Sequence, residues 1–189
     1  MGLKETQSLF VRLCVDAEFR EARFSEEGTE DAGAFAPLEK EVRRQARSLI
    51  SKRLGAVKEM LSATKDALGQ AFAEEFRNFA ATTEEPKGVN RHRLDTLAFA
   101  ERLMNSVRTG LLPAPLLDLL THETTPVRMW TERTSRAFRL HKYPPRRLLQ
   151  LSRAGELPAT LPRRPCLLLW REGRGKQRGY FWREVSPWP

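Results

Sequence analysis

The sequence predicts an α+β protein in which an N-terminal bundle of about five helices carries a small C-terminal antiparallel β unit. Through most of the first 125 positions apolar residues recur at steps of three and four, the helical period, whereas beyond Pro126 they fall in short runs separated by prolines. Charge divides at the same place. Met1 to Thr125 holds 18 Lys+Arg against 20 Asp+Glu, a balance of −2, and Pro126 to Pro189 holds 15 against 4, a balance of +11. A helical domain over 1–125 and a basic, β-rich region over 126–189 are therefore expected.

The first helix is expected from Leu3 to about Phe24, with Leu9, Phe10, Leu13, Cys14 and Ala17 on one side. The polar, acidic, glycine-containing stretch from Ser25 to Ala36 reads as a surface connection. Leu38 to Phe79 is the organising stretch: Val42, Ala46, Leu49, Ile50, Leu54, Val57, Met60 and Leu61, then Leu68, Phe72, Phe76 and Phe79, predict an amphipathic pair of helices. The break is expected between Leu61 and Asp66, with Asp66 as the new N-cap. Pro86 and Gly88 mark a loop. A further helix follows over Leu94 to Val107, with Leu94, Leu97, Ala98, Ala100 and Met104 inward and Gly110 closing it, and a fifth runs from the Pro113–Pro115 region to about Thr125.

Four short runs in the last third, Arg136–Tyr143, Arg147–Leu151, Cys166–Arg171 and Gly179–Arg183, predict a sheet of three or four strands with a hairpin at Gly173 to Gly175. Such a sheet is too small to stand alone and must rest on the helices or on another protein.

With 189 residues, 40% hydrophobic and 30% charged, the chain can bury a core without disulfides or metal. No apolar run of about 18 residues is present, and the N-terminus lacks the basic-apolar-small order of a secretory signal, so a cytoplasmic protein is expected. Cys14 and Cys166 sit in apolar surroundings and read as buried thiols. His92, His122 and His141 are scattered singly, without a ligand at i+3 or i+4, and neither a phosphate-binding glycine loop nor a nucleophile elbow occurs. The residues therefore point to a binding protein rather than an enzyme. The basic tail implies an acidic partner, and 13 of its 15 basic residues are arginines, suited to bidentate contacts with carboxylate or phosphate.

The pattern Arg47-x-Leu49-Ile50-x-x-Arg53-x-x-x-Val57-x-x-x-Leu61-x-x-Thr64-x-x-x-Leu68-Gly69-x-x-Phe72-x-x-x-Phe76-x-x-Phe79 resembles the helical domain of the accessory partner proteins of multinuclear non-heme iron oxidative enzymes. Those enzymes modify ribosomally made peptides, as in methanobactin and bufferin biosynthesis. Leu13 to Arg20, Leu116 to Glu123, and Phe138-Arg139-x-x-x-Tyr143-Pro144 with the later Leu-Leu-Leu-Trp are similar to a subgroup of that family, whose wider group carries a DNA-binding label.

The resemblance implies a non-catalytic subunit that forms a heterodimer with the iron enzyme and captures the leader part of the precursor peptide with its β region. It implies no cofactor on this chain, the iron belonging to the partner. Arg139, Arg146, Arg147, Arg171 and Arg183 would pair with peptide carboxylates, while Trp170, Tyr180 and Trp182 offer large, stiff contact area. Glu123 and Trp130 are the candidates facing the partner enzyme, although Glu123 also reads as a plain surface acid. The competing reading is nucleic-acid binding through the same tail. Against it, the helices of the first 125 residues are near neutral and offer no basic recognition helix.

Overall fold

The computed structural model describes residues 2–25, 32–173 and 179–185, and leaves the side chains of 32–37 aside. Among these residues the chain runs α1 (Leu3–Val15), α2 (Ala17–Ser25), α3 (Ala32–Met60), α4 (Ser62–Leu68), α5 (Gln70–Thr82), α6 (Arg91–Arg108), α7 (Pro115–Thr131), β1 (Arg136–His141), α8 (Pro145–Arg153), β2 (Cys166–Glu172) and β3 (Tyr180–Val185). The α+β class stands, with more helices than expected. No described helix is long and apolar enough to cross a membrane.

The expected first helix is two. Asp16 leaves helical geometry and its Oδ1 accepts the Phe19 N–H at 2.8 Å, so the side chain that ends α1 also caps α2. The Arg20 guanidinium then donates to the free carbonyls of Leu13 and Cys14 at the end of α1.

The organising stretch breaks twice rather than once. Leu61 departs from helical angles between α3 and α4, and Gly69 adopts a φ of 56° between α4 and α5, a conformation that glycine reaches without Cβ strain. Asp66, expected as an N-cap, lies inside α4 instead. The fold-back is real: Leu54, Val57 and Leu61 share a core with Phe72, Phe76 and Phe79, all of them buried. Phe99 of α6 packs edge-on against Phe72 and Phe76, at centroid distances of 5.4 and 5.1 Å.

The inward face of α6 differs from the expected one by a rotation. Leu94 is exposed, whereas Asp95, Phe99, Leu103 and Val107 are buried together with Thr96, Ala100 and Met104. Asp95 sets this phase. Its carboxylate receives Nε and Nη2 of Arg53 at 3.0 and 2.8 Å, and both residues are buried. Arg53 also donates to the Thr83 carbonyl, so one guanidinium joins α3, α6 and the end of α5. Gly110, with φ of 80°, follows the Thr109 C-cap and allows Leu111 to donate back to the Ser106 carbonyl.

The fifth helix does not stop near Thr125. It continues through Pro126 to Thr131, and the 125/126 boundary therefore falls inside α7. Pro126 has no N–H to offer the His122 carbonyl, while the hydroxyls of Thr124 and Thr125 back-bond to Leu120 and Thr121 at 2.7 Å. Burial of Val127 and Met129 beyond the proline keeps the last turns in place.

Arg147–Leu151, expected as a strand, lies in α8. Pro145 occupies the first helical turn, and Leu148 and Ser152, one turn apart, are both buried. Three runs form the antiparallel sheet, ordered β1-β2-β3. The Gly173 N–H donates to the Gly179 carbonyl at 2.7 Å, closing the β2–β3 connection, and the rest of the expected hairpin turn lies outside the described residues. The sheet's inner face packs on α7 through Met129, Cys166, Leu168 and Trp170.

Asp95→Ala would leave the buried Arg53 guanidinium uncompensated and is expected to cost about 3–5 kcal/mol of unfolding free energy. The double variant Arg53→Met with Asp95→Leu should recover most of that loss in urea titrations. Pro126→Ala should raise stability by roughly 1–3 kcal/mol by restoring a helical hydrogen bond; an unchanged urea midpoint would count against a continuous α7.

Candidate peptide-binding surface

Pairing register assigns each strand side chain to a face. Arg136↔Arg171, Phe138↔Leu169 and Leu140↔Leu167 pair across β1 and β2; Arg171↔Phe181, Leu169↔Arg183 and Leu167↔Val185 continue onto β3. Since side chains alternate along a strand, these nine positions share the outer face. Ala137, Arg139 and His141, with Cys166, Leu168 and Trp170 and then Tyr180, Trp182 and Glu184, make the inner face.

The sequence-predicted residues are thereby divided. Arg171 and Arg183 lie exposed on the outer face; Arg146 and Arg147 are exposed on α8. Arg139 is half-buried and donates to the Phe138 carbonyl. Tyr180 and Trp182 are half-buried on the inner side. Trp170, expected to be contact area for a peptide, is only 4% exposed and packs between sheet and α7, because the alternation of β2 points it inward with Cys166 and Leu168. Trp130 remains exposed at the end of α7, with the Arg93 guanidinium stacked 3.6 Å from its ring centroid.

Glu123 is neither a free surface acid nor a residue directed outward. Its two carboxylate oxygens accept the Ala63 and Thr64 N–H groups at 2.7 and 2.9 Å, capping α4 from 60 residues away. Burial pushes its carboxyl above the ordinary range, against the lowering effect of those same hydrogen bonds. Asp118, also on α7, accepts the Lys142 and Tyr143 N–H groups at 2.6 and 2.9 Å and so fixes the turn between β1 and α8. Sequence reasoning missed Asp118; its spacing from His122 on one helical face was the available signal.

His122 and His141 meet at the sheet–helix junction, with ring centroids 6.1 Å apart. His122 also contacts Trp170 and Trp182, at 4.8 and 4.9 Å. Nδ1 of His122, both ring nitrogens of His141 and Nε1 of Trp170 are buried without a hydrogen-bond partner among the described residues. Burial, reinforced by His141, brings the His122 pKa down to about 4. Burial likewise lowers that of His141, against the pull of Asp118. Both imidazoles are therefore neutral at pH 7. Burial also pushes the Cys166 thiol up to about 11, which makes it a packing residue rather than a nucleophile. Among the described residues no group of three or more His, Cys, Asp or Glu side chains is placed to hold a metal ion.

A protein-family model described as SCO6045-like, C-terminal domain, matches residues 27–105. The match takes in α3, α4, α5 and most of α6, and the sheet lies outside it. No curated protein matches the chain.

The neutral histidines set an acid limit on stability. An unfolded chain takes up protons near the ordinary value of 6.5, whereas folded His122 resists until about 4. Their stabilisation is thus complete above that ordinary value and is lost as pH falls toward the folded one. Glu123, whose carboxyl is raised, has the opposite sign and partly offsets the loss. His122→Phe should flatten the decline in urea midpoint between those two pH values, and an unaltered pH profile would show that the imidazole carries none of it.

Proposed function

We propose that this protein is a non-catalytic accessory subunit that binds the leader part of a ribosomally made precursor peptide and pairs with a multinuclear non-heme iron oxidative enzyme. Chemistry, including the iron, is supplied by that partner. The observation that carries the reading is the three-stranded sheet itself, whose outer strands β1 and β3 each have a single partner strand among the described residues. An edge strand presents a row of main-chain donors and acceptors that an extended peptide can complete as an added strand. β3 is the better edge, being exposed at Phe181, Arg183, Glu184 and Val185.

Charge supports the same reading. The excess of 11 positive charges after Thr125 favours an acidic peptide, and Arg183 on β3 and Arg171 on the adjoining β2 are exposed with no ion-pair partner among the described residues. Main-chain pairing would give affinity and the arginines selectivity. Holding the leader would raise the local concentration of the peptide core at the enzyme's cleft. With Glu123 committed to capping α4, Trp130 is the remaining candidate for contact with the enzyme.

The test is binding of a labelled, acidic synthetic leader peptide to the intact chain, alone and together with a multinuclear non-heme iron oxidative enzyme. Deleting 126–189 would cut α7, so point variants are the appropriate probes. Arg171→Glu with Arg183→Glu should weaken binding roughly tenfold or more, about 1.4 kcal/mol, and peptide binding should protect β3 amides from hydrogen exchange. Undiminished binding in the double variant, or steeply salt-dependent duplex DNA binding with no peptide affinity, would refute the proposal.

A further inference from the structure

The outer sheet face is a second surface, which shares Arg171 and Arg183 with the strand-edge site but is otherwise built of side chains that site does not use. Its rows, read across β1, β2 and β3, are Arg136, Arg171, Phe181; then Phe138, Leu169, Arg183; then Leu140, Leu167, Val185. Six of the nine positions are apolar, and no acidic residue is among them. Leu140 is 74% exposed and Phe138 59%, with Phe181 and Val185 also exposed. An apolar cluster of this kind, rimmed by polar residues, marks an interaction site.

Strands about 4.8 Å apart make a three-stranded face roughly 10 Å wide, and alternate residues make it about 13 Å long. That width matches one α-helix, about 10 Å in diameter, and two to three helical turns would cover its length. We propose that this face docks an amphipathic helix of a partner protein, with an apolar stripe on Phe138, Leu140, Leu167 and Leu169 and acidic residues on Arg136, Arg171 and Arg183.

Charge selects this occupant. A second copy of the chain placed face to face would set guanidinium against guanidinium with no carboxylate between them, which is costly once water is excluded. The helix of this chain that covers the sheet, α7, lies on the opposite side, against Met129, Cys166, Leu168 and Trp170. An acidic amphipathic helix satisfies both halves of the surface: it removes the exposed leucines and phenylalanines from water and pairs the arginines bidentately.

This inference does not depend on the strand-edge reading. The probe is a synthetic helical peptide of about 14 residues with leucines at i, i+3, i+4 and i+7 and glutamates flanking them; the control carries lysines in place of the glutamates. Fluorescence anisotropy with the full chain should show the acidic peptide binding at least tenfold more tightly than the basic one. Leu140→Asp should abolish that binding and Arg171→Glu should reduce it about tenfold. Both sites are exposed, so thermal melts of the variants should match the parent, and leader-peptide binding by Leu140→Asp should also be unchanged. Equal affinity for the two peptides, indifference to Leu140→Asp, or a homodimer in sedimentation that Leu140→Asp dissociates would each overturn the proposal. Loss of leader binding in Leu140→Asp would overturn it too, because the leader itself would then occupy the face.

Discussion

The structure depends on α7 running unbroken through Pro126: two carboxylates in its first half fasten the starts of α4 and α8, and Met129 in its last turns seats the sheet. Asp118 receives the main-chain N–H groups that open the turn into α8, and Glu123 receives those that open α4. Each is a pair of charge-assisted hydrogen bonds, shielded from water and stronger than a neutral pair. A helix ending at Thr125 would still carry both acids, but not Met129, through which the sheet is seated. Position, rather than chemistry, is what α7 provides.

The helical half and the sheet play different physical parts. The unit matched by the family model is built around phenylalanine contacts and the buried Arg53–Asp95 pair. The sheet exposes Phe138, Leu140, Phe181 and Val185 beside Arg136, Arg171 and Arg183. Its inner side is closed by tryptophans and neutral imidazoles, of which Trp170 Nε1, His122 Nδ1 and both ring nitrogens of His141 lack a hydrogen-bond partner among the described residues, so the junction is held by shape and burial more than by hydrogen bonds.

Much of this was legible in the sequence wherever one period governed one segment. The apolar stripe of α3 and α5 predicted their buried face, the exposed Leu49 apart, and the runs around Cys166 and Tyr180 predicted strands. Reading failed where a distant residue settles the local outcome. Nothing around Ser62 announces that its helix is capped from Glu123, and the phase of α6 follows from Arg53 drawing Asp95 inward. Arg147–Leu151 looked strand-like as a short apolar run between prolines, yet Leu148 and Ser152 match a helical turn once Pro145 is taken as its start. The candidate residues of the last third stand out in the sequence as a class, arginine with aromatics. Their division between two faces required the register: Trp170 belongs inside for the same reason that Leu169 and Arg171 point out.

The limits of the family match give the α4 cap a further meaning. The match ends at residue 105, short of α7, so the matched stretch does not include the carboxylate that closes one of its own helices. Cut out as an independent fragment, it would turn the Ala63 and Thr64 amides over to solvent and unfasten the corner where α3 gives way to α4. Its autonomy is therefore incomplete, and in this chain the unit is finished by a neighbour encoded downstream.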